Sequence, residues 1–267
     1  MNEPTGAVKS ATRVLDLLEM LALAHEHVGV SEIARRLGIP KSSTHMLMTT
    51  LEGRGYVIGD DGRRFRLNPA FQGEGRSWVG GTIAPFLHMG RAAIQRLAEA
   101  TGESSFLGIA VSEKAIEYVA KVVSRQDLRI DGELGVERPI HATSVGLALL
   151  ASRDEARIEK FLKGARLARL TKHTICEPAK LRRELQAVRE RGYAVVRETN
   201  SLGSAGLAAP VFAADGAAVG ALSIAAPVAR IDAVLENAAT HLLREAKAMS
   251  HALSRKPFPE GSNRVGR

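Results

Sequence analysis

A chain of 267 residues, 45% of them hydrophobic, can build one large domain or two ordinary ones, and we expect two. The formal charge of +8 favours a polyanionic partner such as nucleic acid, but the basic residues are spread along the chain and a tail with Arg255, Lys256, Arg264 and Arg267 supplies part of the excess. A single cysteine, Cys176, excludes an internal disulfide framework and a cysteine-cluster zinc site; with no run near the roughly 20 apolar residues of a membrane helix, the expectation is a soluble, cytoplasmic protein with no membrane partner.

From Ala11 to Ala24, Val14, Leu17, Leu18 and Leu21 recur at helical spacing, which predicts an amphipathic helix. Gly29 breaks the pattern. Ser31 then stands as an N-cap before Glu32, and Ile33, Ala34 and Leu37 share a face of a short second helix that Gly38 ends. Pro40 suits the first turn of a third helix, with Thr44, Leu47, Met48 and Leu51 turned inward and Gly53 and Gly55 at its end. Next, Tyr56-Val57-Ile58 and the run Arg63 to Leu67 flank Gly59-Asp60-Asp61-Gly62, which predicts a β-hairpin carrying Arg63, Arg64 and Arg66. Glycines 73, 75, 80 and 81 around Trp78 mark a linker at 71–82, between a domain at 9–70 and another at 83–255.

Phe86, Met89, Ala93 and Leu97 then mark a helix closed by Thr101-Gly102, followed by strands from Ser105 to Val111 and Ala115 to Val122. Helices are expected at Ser144 to Ala151, Asp154 to Leu162 and Ala179 to Arg191, and strands at Tyr193 to Arg197, Leu207 to Phe212 and Ala217 to Ala225. A last helix carries Val234, Leu235, Ala238, Leu242, Ala246 and Met249 on one stripe. This order predicts an α+β sensor-like domain, not a repeating βαβ sheet.

Helix, short turn, helix and basic hairpin in succession form the pattern of a winged helix-turn-helix, whose second helix of the pair enters the major groove of double-stranded DNA. With the inner face assigned, about 100° per residue puts Ser42, Met46 and Thr49 on the outer face of the third helix, flanked by Ser43 and His45. Lys41, Ser42 and Ser43 open the helix, where free N–H groups favour phosphate. His45 and Thr49 offer hydrogen bonds to base edges and Met46 an apolar contact, while Arg63, Arg64 and Arg66 suit phosphates or a minor groove. Three-helix modules also serve other roles, and hairpin arginines can be no more than a solvated face.

The run Val30-Ser31-Glu32-Ile33-Ala34-Arg35-Arg36-Leu37-Gly38-Ile39-Pro40-Lys41-Ser42-Ser43-Thr44-His45, continued by Leu51-Glu52-Gly53-Arg54-Gly55-Tyr56, resembles the helix-turn-helix of the isocitrate lyase regulator (IclR) family. Arg138-Pro139-Ile140-His141-Ala142-Thr143-Ser144-Val145-Gly146 looks like that family's effector loop, and Glu190-Arg191-Gly192-Tyr193-Ala194-Val195 and Leu207-Ala208-Ala209-Pro210-Val211-Phe212 add two further blocks. The resemblance implies an operator-binding regulator that works as a homodimer or a dimer of dimers, with a GAF-like α/β domain that binds a small organic-acid effector. It also implies control of genes for catabolism of small organic and aromatic acids. The family often has an arginine after the histidine of the recognition helix; Met46 stands there, so the operator sequence is not carried over.

In that family the ligand carboxylate is held by backbone amides just after the His-Ala-Thr loop, which implies Ser144 and Val145 here, with His141 in the loop itself. A helix start agrees with an anion site, although the loop could simply cap a helix and His141 be a structural histidine. Where the family places an aspartate, a cysteine and two serines, this chain has Val196, Gly206, Ser223 and Ala225. Only Ser223 keeps a polar group. With Phe106, Leu128 and Ile130 as apolar walls, the expectation is an aromatic or otherwise largely apolar acid, the alternative being a small aliphatic keto or hydroxy acid.

Enzyme motifs are absent from the sequence. His25-Glu26-His27 lacks the spacing that puts two histidines on one helical face, there is no Gly-x-x-x-x-Gly-Lys loop, Ser204-Ala205-Gly206 is no nucleophile elbow, and Cys176 is a lone loop cysteine. No catalytic residue, metal or cofactor is expected. A DNA-organising protein that senses nothing is the third class considered.

Overall fold

The computed structural model describes residues 8–24, 26–71, 83–164 and 166–254. The chain divides into two compact units, 1–76 and 77–267. The linker expected at 71–82 lies, apart from Phe71, outside the described residues, as does His25.

The first unit holds helices α1 (Lys9–Leu23), α2 (Val30–Leu37) and α3 (Lys41–Gly53) and a small antiparallel sheet of β1 (Val28–Gly29), β2 (Val57–Gly59) and β3 (Arg64–Leu67) in the order β1-β3-β2. Leu17, Leu21, Ile33, Met48 and Leu67 are buried at its centre. Gly38 ends α2 in the left-handed region at φ 63°, where its N–H reaches the Ala34 carbonyl, so the chain turns sharply before α3.

Two expectations need correction in this unit. Ser31 does not cap α2: Gly29 stands at the N-cap and Ser31 is inside the helix. The cause is β1, a two-residue strand whose Val28 and Gly29 pair with Phe65 and Arg64 and hold the chain extended up to Val30. Arg63 does not open the second hairpin strand either. It lies in the turn at φ 54°, its N–H bonded to the Asp60 carbonyl at 3.0 Å, and β3 begins one residue later.

The second unit is built on a six-stranded sheet with neighbours antiparallel: β4 (Ser104–Ala110), β5 (Ala115–Val122), β6 (Arg138–Pro139), β7 (Ala194–Arg197), β8 (Ser204–Phe212) and β9 (Ala218–Pro227), in the order β6-β5-β4-β9-β8-β7. Helices α4 (Ile83–Thr101), α5 (Ser144–Ala151), α6 (Glu155–Gly164), α7 (Pro178–Arg191) and α8 (Val228–Ser254) cover it. Adjacent residues of β4 show how the layers form: Leu107 packs against Gly90 of α4, and a side chain at Gly108 would run into Val145 of α5. Because successive strand residues point to opposite faces, α4 and α5 lie on opposite sides of the sheet. All eight residues of α5 are buried, which a helix sandwiched between a sheet and a further helix layer requires. Leu181, Leu185 and Val188 of α7 join Val145, Leu149 and Ala208 in one apolar cluster.

Strand β8 starts at Ser204, before the expected Leu207, because Ala205 and Gly206 continue the ladder opposite Ala226 and Ala225. Among the described residues no helix is long and apolar enough to cross a membrane.

Candidate nucleic-acid interface and effector cleft

Helix α3 turns Thr44 and Met48, both 0% exposed, and Leu51 into the core. Lys41, Ser42, His45, Met46 and Thr49 are exposed, and Ser43 is half-buried. Met46 is 66% exposed, which leaves its side chain free to make an apolar contact such as one to a thymine methyl. The N-cap is Pro40, which has no side-chain oxygen, so the first amides of α3, from Lys41 to Ser43, remain open to an acceptor. Thr50 also lies on the outer side, but its hydroxyl donates back to the Met46 carbonyl at 2.8 Å.

On the wing, Arg64 is exposed and its Nε donates to Asp60 Oδ2 at 2.8 Å. The Arg64 backbone N–H also reaches Asp60 Oδ1, and this bond, followed by the guanidinium, holds the Asp60 carboxyl below the usual range. Arg66 follows on the same side of β3, half-buried, with Phe65 and Leu67 buried on the other. In α2, Glu32 accepts from both Arg35 and Arg36, which likewise lowers its carboxyl and keeps those two arginines engaged.

In the second unit a cleft of about 470 Å³ opens between β7, β8 and the loops on either side. Of the residues expected there, Ile130, Ser144, Val196, Gly206 and Ala225 line it. Val196, Gly206 and Ala225 come together because they are neighbours across β7, β8 and β9. Thr143 caps α5, its hydroxyl accepting from the Gly146 N–H at 2.9 Å. The Leu147 N–H bonds the Thr143 carbonyl, so Ser144 and Val145 are left as the two amides of the first turn with no partner among the described residues.

The remaining expected residues sit elsewhere. Phe106 does not line the cleft: its ring packs 4.7 Å from that of Tyr118, and it is Tyr118 that reaches the cleft. Leu128 is no apolar wall: its side chain is 67% exposed, and the chain is anchored there through its carbonyl, which accepts from Arg230 at 2.9 Å. The Val145 side chain fills the space over Gly108. Ser223 is 1% exposed and does not line the cleft; its Oγ lies 3.3 Å from Ser144 Oγ, so it orients Ser144 from behind. His141 faces a different cavity, with Nε2 3.0 Å from the Ala168 carbonyl. Burial holds its pKa below the usual histidine range against that bond, and a neutral ring with its proton on Nε2 satisfies the contact.

Residues that were not anticipated make the cleft more polar. Arg129, Arg138, Thr199, Asn200, Ser201 and Ser204 all contribute. Arg138 lies 4.7 Å above the Tyr118 ring and donates to the carbonyls of Val136 and Glu133 at 2.9 and 3.0 Å. Burial raises the Tyr118 hydroxyl, opposed by the Arg138 charge. Loop 198–204 is closed by Glu198, which adopts φ 56° and accepts the Gly203 N–H at 2.7 Å, and Thr199 Oγ1 donates to the Ala142 carbonyl at 2.6 Å. Arg138 belongs to the run 138–146 that resembles the family's effector loop; the loop residues carry no sequence signal beyond that of a turn. Among the described residues no group of three His, Cys, Asp or Glu could hold a metal ion.

Comparison with known proteins joins the two units. Residues 10–61 match the IclR helix-turn-helix domain and residues 84–255 the C-terminal domain of bacterial transcriptional regulator IclR. The chain is 30% identical to the transcriptional repressor IclR of Escherichia coli (strain K12) over 230 residues, 85% of this chain and 83% of that protein. It is 28% identical to the HTH-type transcriptional regulator BhcR of Paracoccus denitrificans (strain Pd 1222) over 254 residues, covering 94% and 90%. The crystal structure of an IclR transcriptional regulator from Alicyclobacillus acidocaldarius superposes with a TM-score of 0.61 at 25% identity, covering 93% of this chain and 99% of that one. These relatives are regulators and repressors, not enzymes. The chain belongs to the IclR family of DNA-binding transcriptional regulators.

Proposed function

We propose that this regulator controls a catabolic operon in response to an organic acid held in the 470 Å³ cleft, its carboxylate on the Ser144 and Val145 amides. The observation that carries the reading is the start of α5, where the Ser144 and Val145 N–H groups have no partner among the described residues and Ser144 lines the cleft at the positive end of the helix. Val196, Gly206, Ala225 and Tyr118 offer an apolar floor to a ring or similar body, and Asn200, Ser201 and Arg129 offer partners to polar substituents. The effector is therefore ring-sized and bears hydroxyl or similar groups, less greasy than Leu128 and Phe106 led us to expect. A cleft of this volume exceeds what a two- or three-carbon keto acid fills. Relatives named as an acetate operon repressor and a glycerol operon regulatory protein support the operon reading. Operator binding by a homodimer or dimer of dimers and a cytoplasmic location complete it.

Calorimetry with hydroxylated aromatic acids, short keto acids and neutral amides tests the cleft. The amide of a binding acid is expected to bind at least tenfold more weakly, since charge-assisted hydrogen bonds contribute about 1.5–3 kcal/mol. Val196→Phe, which fills the floor from an edge strand, is expected to abolish binding and leave ligand-free operator affinity unchanged. Equal binding of acid and amide, or binding of short keto acids alone, overturns the model.

The DNA face is tested by contrast. Thr49→Ala and Met46→Ala are expected to change base preference by about 1–3 kcal/mol, since both side chains are exposed on the outer face of α3. Arg64→Ala is expected to weaken operator and random DNA alike and to reduce the salt slope by about one. Its pair with Asp60 does not prevent this, because an exposed ion pair is weak enough for phosphate to replace. A salt slope unchanged in Arg64→Ala rules out the phosphate contact.

A further inference from the structure

His141, which faces away from the cleft, borders a cavity of about 360 Å³, and a neighbouring cavity of about 440 Å³ shares Lys114 and Phe161 with it. Together they form a groove between the turn after β4, strand β6, helix α6 and the segment around Arg166. Its charge is one-sided. Lys114, Arg138, Lys160 and Arg166 line it, and among the described residues none has a carboxylate within ion-pair distance. Arg157 also lines it and has only a 3.6 Å pairing with Asp154. Of the two acids present, Glu113 is drawn off to Arg153 at 2.8 Å, which leaves Glu137. Cations gathered in a concave site repel one another and gain when an anion enters. The groove is not purely polar: Phe161, 8% exposed, is common to both cavities, and Pro139 and Leu167 border the first.

We propose that this groove is a second ligand site, distinct from the organic-acid cleft, for a small organic polyanion with a short carbon skeleton, its charged groups being carboxylates or phosphates. Lys114 and Arg166 meet one charged end, Lys160 and Arg157 the other, and Phe161 supports the carbon body between them. The site is structurally joined to the cleft. Arg138 lines both cavities, and the Ile140 N–H donates to the Lys114 carbonyl at 2.9 Å, so the segment from Arg138 to Ser144 forms a wall common to both. The proposal does not rest on the identity of the effector in the cleft.

The test is calorimetry on the full chain with citrate, glucose 6-phosphate, inorganic phosphate and, as the neutral control, glucose. The wild type is compared with Val196→Phe, which blocks only the cleft, and with the double variant Lys114→Ala/Arg166→Ala. Both replaced side chains are exposed and unpaired, so the double variant is expected to melt with the wild type. Citrate or glucose 6-phosphate is expected to bind saturably to the wild type and equally to Val196→Phe, and at least tenfold more weakly to the double variant, with glucose silent. Tighter citrate identifies a carboxylate site and tighter glucose 6-phosphate a phosphate site. The proposal is overturned if no polyanion binds saturably, if Val196→Phe abolishes binding, or if the double variant binds as the wild type does; that last result places the anion on another basic surface, such as the start of α3.

Discussion

Replacing Gly146 by alanine is expected to destabilise the second unit by about 3 kcal/mol or more, the result of forcing a methyl group into backbone. A Cβ there would lie 1.8 Å from the Ile140 carbonyl oxygen, 2.5 Å from its carbon and 2.7 Å from the Ile140 Cα. No rotamer change relieves such contacts, because the obstacle is main chain; α5 has to move away from the turn at Ile140–Ala142. That movement also displaces the Ser144 and Val145 amides, so, on the proposed function, ligand binding is expected to fall with stability. Thermal unfolding followed by circular dichroism is expected to show a drop of roughly 6–12 °C in the transition of this unit. The first unit has its own core and is expected to retain its transition. A variant melting within about 2 °C of the wild type would falsify the claim that α5 is locked against residue 140.

Arg230→Ala is expected to cost a further-reaching 3–5 kcal/mol, about the penalty of a buried carboxylate left without its partner. Glu103 is 0% exposed, and the Arg230 guanidinium engages both of its oxygens, with Nη2 2.8 Å from Oε2. The same Nη2 donates to the Leu128 carbonyl at 2.9 Å. One side chain thus ties the first turn of α8 to the start of β4 and to the loop that brings Arg129 and Ile130 to the cleft. Urea unfolding of Arg230→Ala, Glu103→Ala and the double variant separates the causes: if the uncompensated carboxylate dominates, the double variant is more stable than Arg230→Ala. Arg230→Lys is expected to restore only part of the loss, since an ammonium keeps the charge but cannot span both carboxylate oxygens and the carbonyl. Should the double variant be less stable than Arg230→Ala, the buried charge is not the cause.

Helical periodicity is a local property, and what depended on it was legible in the chain itself. Of the four inward residues of α3 read as a repeat, Thr44, Met48 and Leu51 are buried and Leu47, at the edge of that face, is half-buried, which leaves Met46 and Thr49 outward without knowledge of the rest of the molecule. The bounds of α5, Ser144–Ala151, agree with the apolar run read in the sequence, and with the cap at Thr143 they leave without a partner among the described residues the Ser144 and Val145 amides that the family resemblance named. The neighbours Val196, Gly206 and Ala225 could be named through family resemblance, but their adjacency is a matter of strand register.

Other features were set by contacts between distant segments, where a single chain carries no local sign. Strand β1 has only two residues, too few for alternation, and exists because Phe65 and Arg64 pair with it; that pairing moves the helix cap from Ser31 to Gly29. Leu128 is apolar, yet the Arg230 hydrogen bond to its carbonyl fixes the loop and leaves the side chain in water. His141 and Ser144 are three residues apart and face different cavities because a tight turn and then a helix start lie between them. Which polar groups share a cleft depends on how loops from Arg129 to Glu133 and Thr199 to Ser204 close over the sheet. Residue types along the chain determine which face of a helix avoids water and where a helix starts; tertiary packing determines which loops and strands that start meets, and so which groups share a cleft with it.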